Sequence, residues 1–495
     1  MASIGSEHAP RSYGRSSWGI PSRVSWRDSW RGSWRNSWRA FLPASRQADI
    51  DHALARLYAL FADGSDSSLV RRLAGAAFLI RVVSAAIAFV AQILLARWMG
   101  GFEFGIYIYA WTWVLLLGGM VDLGLGSAAQ RFIPEYTAHK QFALLRGFLS
   151  GSRWLGVVSA SAFAGIGAIA VTVLSPYIDA KTIVPLYFSC AALPMFALWG
   201  VQSGIARSYN WVNLGLTPNY VQRQLVIVAL MGLAFAFGLS TGAVTATIVG
   251  VIALTSVSLG QLLILNRKLV GVVEPGPKAY ALRLWYATAA PIFLVEAFYL
   301  LLTYSDVIVL KQFRPPDEVA IYYAAAKTLA FVAFIYYSVS QTIAHKFAAY
   351  HVTGDRKRLA AFLKQAVKLT FWPSLGSIVI LLAIGKPLLR LFGTGFDSGY
   401  YLMFIIAVGL MARASVGPAE RLLNMLGERR SCALVYAASF ALSLGLCIVL
   451  IPPMGLAGAA LASSLALVFE SISLFVVAKY RLGFHCFIFG GPTDG

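Results

Sequence analysis

EFGIYIYAWTWVLLLGGMVDLGLGSAAQRFIPEY, running from Glu103 to Tyr136, carries a single charge, Asp122, between Glu103 and Arg131. A membrane-spanning helix needs about 20 mainly apolar residues, and 105–127 supplies them. The stretch also has a second copy. Glu103-Phe104-Gly105-Ile106-Tyr107 reappears 215 residues later as Glu318-Val319-Ala320-Ile321-Tyr322, Ala110 aligns with Ala325, and Arg131-Phe132 aligns with Lys346-Phe347 at the same offset. In both copies the first block enters an apolar run and the second leaves it.

Outward from this stretch, apolar runs alternate with short charged links. The runs lie near 75–97, 105–127, 152–174, 183–205, 221–239, 243–264, 284–305, 320–343, 366–385, 400–423, 432–451 and 456–478. Composition agrees: 58% of the 495 residues are hydrophobic, only 13% are charged, and the mean hydropathy is +0.70. Soluble domains carry about 25% charged residues, so the bilayer is the natural solvent. Six runs per half leave both halves in one orientation, as in parallel repeats related by an axis along the membrane normal, whose cleft transporters use. The expected fold is therefore an all-α polytopic membrane protein of about twelve transmembrane helices in two six-helix lobes. The lobes are placed at 69–270 and 271–480, between a tail at 1–68 and a C-tail at 481–495.

The net charge of +20 invites a nucleic-acid reading, but its distribution opposes one. Eleven of the 41 Lys and Arg residues precede residue 73, and most others sit in short links, with no nucleic-acid-binding motif beside them. With a cytoplasmic N-terminus, the inward links and C-tail hold 21 basic residues and the outward links only six: Arg97, Lys181, Lys311, Arg314, Lys386 and Arg390. That bias places both termini in the cytoplasm. No link is long enough for an extramembrane domain, and Gly385-Lys386 is followed by Pro387, which excludes a P-loop. Neither an enzyme nor a cofactor is expected.

The tail repeats Trp followed by Arg at Trp26, Trp30, Trp34 and Trp38. A period of four aligns the indoles on a helix, and an even period aligns them equally in an extended chain. The tail reads as disordered or lying on the membrane surface, without the apolar core of a cleavable signal. Cys190, Cys432, Cys447 and Cys486 show no metal-ligand spacing and read as small buried hydrophobes. His139, His345 and His351 show none either.

Ionisable residues inside spans are costly and usually face a bundle interior or watery cavity. Arg81, Lys327 and Arg413 are the three basic residues assigned to spans, and together they suit a cationic cavity for a phosphate or diphosphate. The alternative for each is a pair with a nearby carboxylate or a snorkelled position. Glu296 and Glu470 are the deepest acids and are candidates for ion coupling, with a structural Glu–Arg pair as the plainer alternative. Asp122, Asp306 and Glu420 lie towards span ends and are read as structural. Pro194, Pro291 and Pro418 fall within runs, where proline kinks a helix.

A family resemblance rests on Ala96-Arg97-Trp98-Met99-Gly100, Glu103 to Tyr107, Asp122-Leu123-Gly124-Leu125 and Arg131-Phe132-Ile133-Pro134-Glu135-Tyr136. In the second half it rests on Asp306-Val307-Ile308-Val309-Leu310, the Ile321-Tyr322 block, and Pro418 through Leu423-Asn424-Met425-Leu426-Gly427. Over about 70–480 the chain resembles Wzx-type polysaccharide flippases of the multidrug/oligosaccharidyl-lipid/polysaccharide exporter superfamily. The resemblance implies the two-lobe fold, a bacterial inner-membrane location, and an undecaprenyl-diphosphate-linked oligosaccharide flipped between leaflets by alternating access. Other polysaccharide-assembly proteins are implied as possible partners. The Trp/Arg tail departs from the family pattern. Two rivals stand beside this reading: a drug/cation antiporter on the same fold, and a membrane enzyme of envelope assembly, which the short outward links disfavour.

Overall fold

The computed structural model describes residues 66–352 and 355–489, without the side chains of 66–82 and of several residues within 337–354. The Trp/Arg tail up to residue 65 and the side chain of Arg81 thus lie outside the described residues. Leu73–Gly495 forms one compact unit; of the separate unit Met1–Arg72, only helical backbone from Asp66 is described.

Among the described residues every regular element is a helix, and eleven helices are long and apolar enough to cross a membrane. They carry all twelve expected runs, because the first two share α1 (Asp66–Gly118). Gly100 divides α1: its φ of 76° and ψ of 164° are open to glycine and not to a residue with Cβ. Side chains from both arms, Phe89 and Gln92 before the break and Trp111 and Leu115 after it, line one cavity, so the arms fold back beside each other.

The first lobe continues through α2 (Leu125–Ala138), α3 (Phe142–Leu174), α4 (Ala180–Ser208), α5 (Val212–Thr217), α6 (Arg223–Ala236) and α7 (Ala243–Val270). The second lobe comprises α8 (Leu282–Phe313), α9 (Pro316–Val352), α10 (Arg356–Ala383), α11 (Gly385–Arg390), α12 (Tyr400–Val416), α13 (Ala419–Met425), α14 (Arg429–Met454) and α15 (Leu456–Val477). Several helices outrun their apolar runs. For example, α10 begins ten residues before the expected 366, because the charged stretch Arg356–Lys368 stays helical outside the apolar zone, where hydropathy is silent.

Two expected spans are interrupted. The run at 105–127 breaks between α1 and α2, where Leu123 (φ 51°) and Gly124 (φ 78°) take left-handed conformations. Asp122 satisfies the freed amides, accepting from Gly124 N (3.0 Å) and Gly126 N (3.2 Å). The run at 400–423 breaks at Gly417-Pro418 between α12 and α13. A third interruption joins α5 to α6, where Pro218–Gln222 forms a π-helical turn. Proline cannot donate the backbone hydrogen bond, so the ladder slips there.

The lobes meet at one end through a continuous apolar cluster. Phe104 of α1 packs edge-on to Tyr323 of α9 and to Phe396 before α12. Gly105 lies directly against the carbonyl oxygen of Pro316, and any Cβ there would collide with it. Arg97 donates from Nε to Leu391 O (2.6 Å). At the opposite end lie two further clusters: Phe132 and Phe148 of the first lobe packed with Trp285 of α8, and Phe347, Leu363 and Cys432 within the second lobe. Phe132 and Phe347, aligned by the internal repeat, are both buried at this end.

Candidate functional site

Between the lobes lie two adjoining cavities. The first, a vestibule of about 580 Å³, is walled by α2, α4 and α5 from one lobe and by α8, α13 and α14 from the other. The second, a chamber of about 420 Å³, lies between α1, α6, α8 and α9. Gly119, Phe196, Trp199, Tyr220 and Leu300 line both, so the two form one cleft. Arg207, Met425 and Arg429 at the vestibule rim are exposed, whereas the other end of the bundle is sealed by the Phe104 and Gly105 contacts.

All three helix interruptions place residues on this cleft. The break before α2 puts Asp122 and Ser127 on the vestibule wall, the Gly417-Pro418 break turns Glu420 and Arg421 into it, and the π-turn presents Asn219, Tyr220 and Arg223 to the chamber. In membrane proteins, discontinuous helices are places where polar chemistry is presented to a cavity.

The two cavities differ in charge. The vestibule presents three arginines, Arg207, Arg421 and Arg429, against three carboxylates, Asp122, Glu296 and Glu420. Among the described residues the chamber presents Arg223 and Lys327 and no carboxylate. Arg223 is only 5% exposed, and its guanidinium lies 5.2 Å from the Trp111 ring centre. Its Nε and Nη1 have no hydrogen-bond partner, and neither has Nε1 of Trp199 in the shared wall. Unmade hydrogen bonds on a buried cation cost more than those on a neutral group. The chamber is built to receive acceptors.

Of the residues singled out from sequence, Lys327 lines the chamber, its Nζ 5.3 Å from the centre of the Tyr323 ring. Glu296 lines the vestibule and bridges the lobes, accepting from Ser127 Oγ at 2.8 Å. Arg413 and Glu470 come together away from the cavity surface, Nη2 to Oε1 at 3.5 Å. Arg413 sits behind the wall, over the rings of Tyr336 (4.7 Å) and Tyr299 (5.7 Å), and Tyr299 faces the vestibule.

The arginines that line the cleft were hidden among the link residues. Arg223 and Arg421 fall inside the runs 221–239 and 400–423 but near their ends, where basic residues ordinarily mark a cytoplasmic boundary. Helix interruptions carry them onto the cleft instead. The available signal was Pro218 or Gly417-Pro418 a few residues before each arginine.

A strap supports the α12–α13 break. After Gly483 the chain leaves the helix and buries Phe484, Cys486 and Ile488 in alternation. Ile488 N donates to Ser415 O (3.0 Å), a carbonyl the interrupted helix would leave unpaired. Arg356 donates from Nη2 to Leu482 O (2.6 Å) and lies over the Phe484 ring. Burial pushes the Cys486 thiol up to about 12, in keeping with a small apolar filler.

A family profile described as "Polysaccharide biosynthesis protein" matches residues 71–344. The chain belongs to that family. The match covers the first lobe and continues through most of α9, so this polysaccharide biosynthesis protein carries the family pattern across the junction of its lobes. No curated protein matches it significantly by sequence. Among solved structures it is similar to an inward-facing multidrug resistance MATE family transporter of the MOP superfamily: TM-score 0.68, 12% identity, covering 82% of this chain and 98% of that one. It is also similar to the lipid II flippase MurJ in an inward closed conformation (TM-score 0.59, 15% identity, 80% and 87% covered). A third is a MOP superfamily transporter from Pyrococcus furiosus described by a reverse polarity of its binding pocket (0.60, 13%, 82% and 95%). At these identities the likeness concerns the fold: a membrane protein of polysaccharide biosynthesis on the two-lobe MOP transporter scaffold.

Proposed function

We propose that this protein flips polyprenyl-diphosphate-linked oligosaccharide across the bacterial inner membrane by alternating access, with both termini in the cytoplasm. The observation that carries the reading is Arg223, a buried guanidinium with open donors, beside Lys327 in a chamber lined by no carboxylate. A diphosphate supplies the acceptors and the charge that this chamber lacks, and a guanidinium can grip it with two parallel hydrogen bonds. The mixed vestibule suits the sugars, whose hydroxyls both donate and accept. The polyprenyl chain stays in lipid. Family membership and the kinship of fold with a lipid II flippase support the same substrate class.

In the mechanism, the vestibule end is open and the Gly105–Pro316 end closed, and substrate enters from the cytoplasmic leaflet. Rocking of the lobes breaks the Phe104 and Arg97 contacts, narrows the vestibule, and exposes the chamber on the other side. No covalent step is needed. Purified protein in proteoliposomes, given a fluorescent polyprenyl-diphosphate oligosaccharide, tests this. Flipping in the wild type, slowed by Arg223→Ala by roughly 30- to 150-fold and partly kept by Arg223→Lys, supports the proposal. Absence of flipping together with exchange of an organic cation for protons replaces it with the antiporter reading, which the three vestibule carboxylates would then serve.

A further inference from the structure

A diphosphate alone does not match the donors and acceptors of the chamber. The buried donors without a partner are Nε and Nη1 of Arg223 and Nε1 of Trp199 in the shared wall. The buried acceptors without one are Oδ1 of Asn219, on the π-helical turn, and Oε1 of Gln92, on the first arm of α1. Asn219 is only 8% exposed. An ionised diphosphate accepts hydrogen bonds and donates none, so it answers the guanidinium and the indole and leaves both amide oxygens unpaired. A buried polar atom without a partner is costly. The ligand that answers the whole chamber brings donors beside its phosphates, and at about 420 Å³ the chamber has room for more than a diphosphate.

Covalent structure decides which donors those are. In a diphosphate-linked glycan the anomeric carbon of the first sugar carries the phosphate. The hydroxyl or acetamido N–H on the adjacent ring carbon, the 2-position, is therefore the donor nearest the charge. Asn219 stands in the same relation to Arg223, one helical turn before it in the chain and on the same chamber wall. Tyr220, between them, lines chamber and vestibule alike, so the pair lies close to where the two cavities join.

We infer that the sugar attached to the diphosphate enters the chamber with it, and that Asn219 selects that sugar by accepting from its 2-position donor. Gln92 accepts from a second hydroxyl of the same ring, and the remaining sugars stay in the vestibule. The inference rests on the flippase reading and narrows it to lipids whose first sugar keeps a free hydroxyl or acetamido N–H beside the anomeric carbon. A site built to hydrogen-bond a substrate hydroxyl rejects the analogue lacking it, because the polar groups of its wall then stay buried and unpaired. Sugars further along the chain meet the mixed charges of the vestibule, which offers donors and acceptors of both kinds and discriminates less.

The test is equilibrium binding to the full-length protein in detergent. The probes are polyprenyl alcohol, polyprenyl diphosphate, polyprenyl-diphosphate glucose, and the 2-deoxy-2-fluoro analogue of the last, whose fluorine fills the place of the hydroxyl and cannot donate. The wild type is expected to bind the glucosyl lipid about tenfold tighter than the fluoro analogue, the worth of one hydrogen bond to a buried acceptor. Asn219→Leu, of similar size, should bind those two alike; Asn219→Ala takes its place if thermal unfolding shows that the leucine variant does not fold. Gln92→Leu should keep the discrimination against fluorine and narrow the preference for the glucosyl lipid over the bare diphosphate. A wild type that prefers the diphosphate to the alcohol yet binds the glucosyl and fluoro lipids alike overturns the inference and keeps the flippase reading. Discrimination against fluorine that survives in the Asn219 variant overturns it equally. A wild type that binds all of these lipids alike removes the flippase reading and the inference together.

Discussion

Each lobe buries an arginine near the cleft, and the two are treated in opposite ways. In the second lobe Arg413 lies behind the tyrosine wall, paired with a fully buried Glu470. In the first lobe Arg223 reaches the chamber surface with aromatic neighbours and, among the described residues, no carboxylate; both arginines keep donors without a hydrogen bond, so the carboxylate is the difference. Arg413 is thus neutralised from within the lobe. Arg223 has no such partner, and on the function proposed above that contrast separates a structural charge from a binding one. Proteins accept such local instability where function requires it.

The largest effect expected from breaking this contrast is on stability. Glu470→Gln strands Arg413 and should cost about 3–5 kcal/mol, as removal of one partner of a buried pair does; thermal unfolding in detergent measures it. Arg223→Leu should leave unfolding unchanged or raise its midpoint, since it removes an uncompensated charge. Equal destabilisation by both would erase the distinction.

Next in size is transport. Arg223→Ala should slow flipping by roughly 30- to 150-fold, the equivalent of about 2–3 kcal/mol for a hydrogen-bonded charge. Smaller again is the strap: Ile488→Pro removes the one donor to Ser415 O and should lower stability by about 1–3 kcal/mol, the cost of a buried carbonyl left unpaired. Flipping should fall with it as α13 loosens. The smallest effect belongs to the exposed rim, where Arg429→Ala should change the flipping rate by about threefold or less and lose even that at high salt.

Much of the fold was legible in the sequence. Hydropathy located all the runs, and the offset linking Glu103–Tyr107 to Glu318–Tyr322 exposed the two lobes. What hydropathy could not resolve was continuity. An apolar run that breaks at Leu123-Gly124 or at Gly417 has the same composition as one that does not, and only the backbone reveals it. The site was legible in kind more than in place. Of the candidates legible in the sequence, Lys327 and Glu296 lie on the cleft, whereas Arg223, Arg207, Arg421 and Arg429 sit where apolar runs end and look like link charges in one dimension. Pairing was equally hidden: nothing in one dimension says that Arg413 meets Glu470 fifty-seven residues away while Arg223 meets no acid.

The most direct measurement of the central claim is equilibrium binding of polyprenyl diphosphate and polyprenyl alcohol to purified wild type and Arg223→Ala. The account predicts that the wild type prefers the diphosphate, and that Arg223→Ala removes the preference while its affinity for the alcohol is unchanged. A preference that survives in Arg223→Ala would contradict the assignment of the chamber as the diphosphate site.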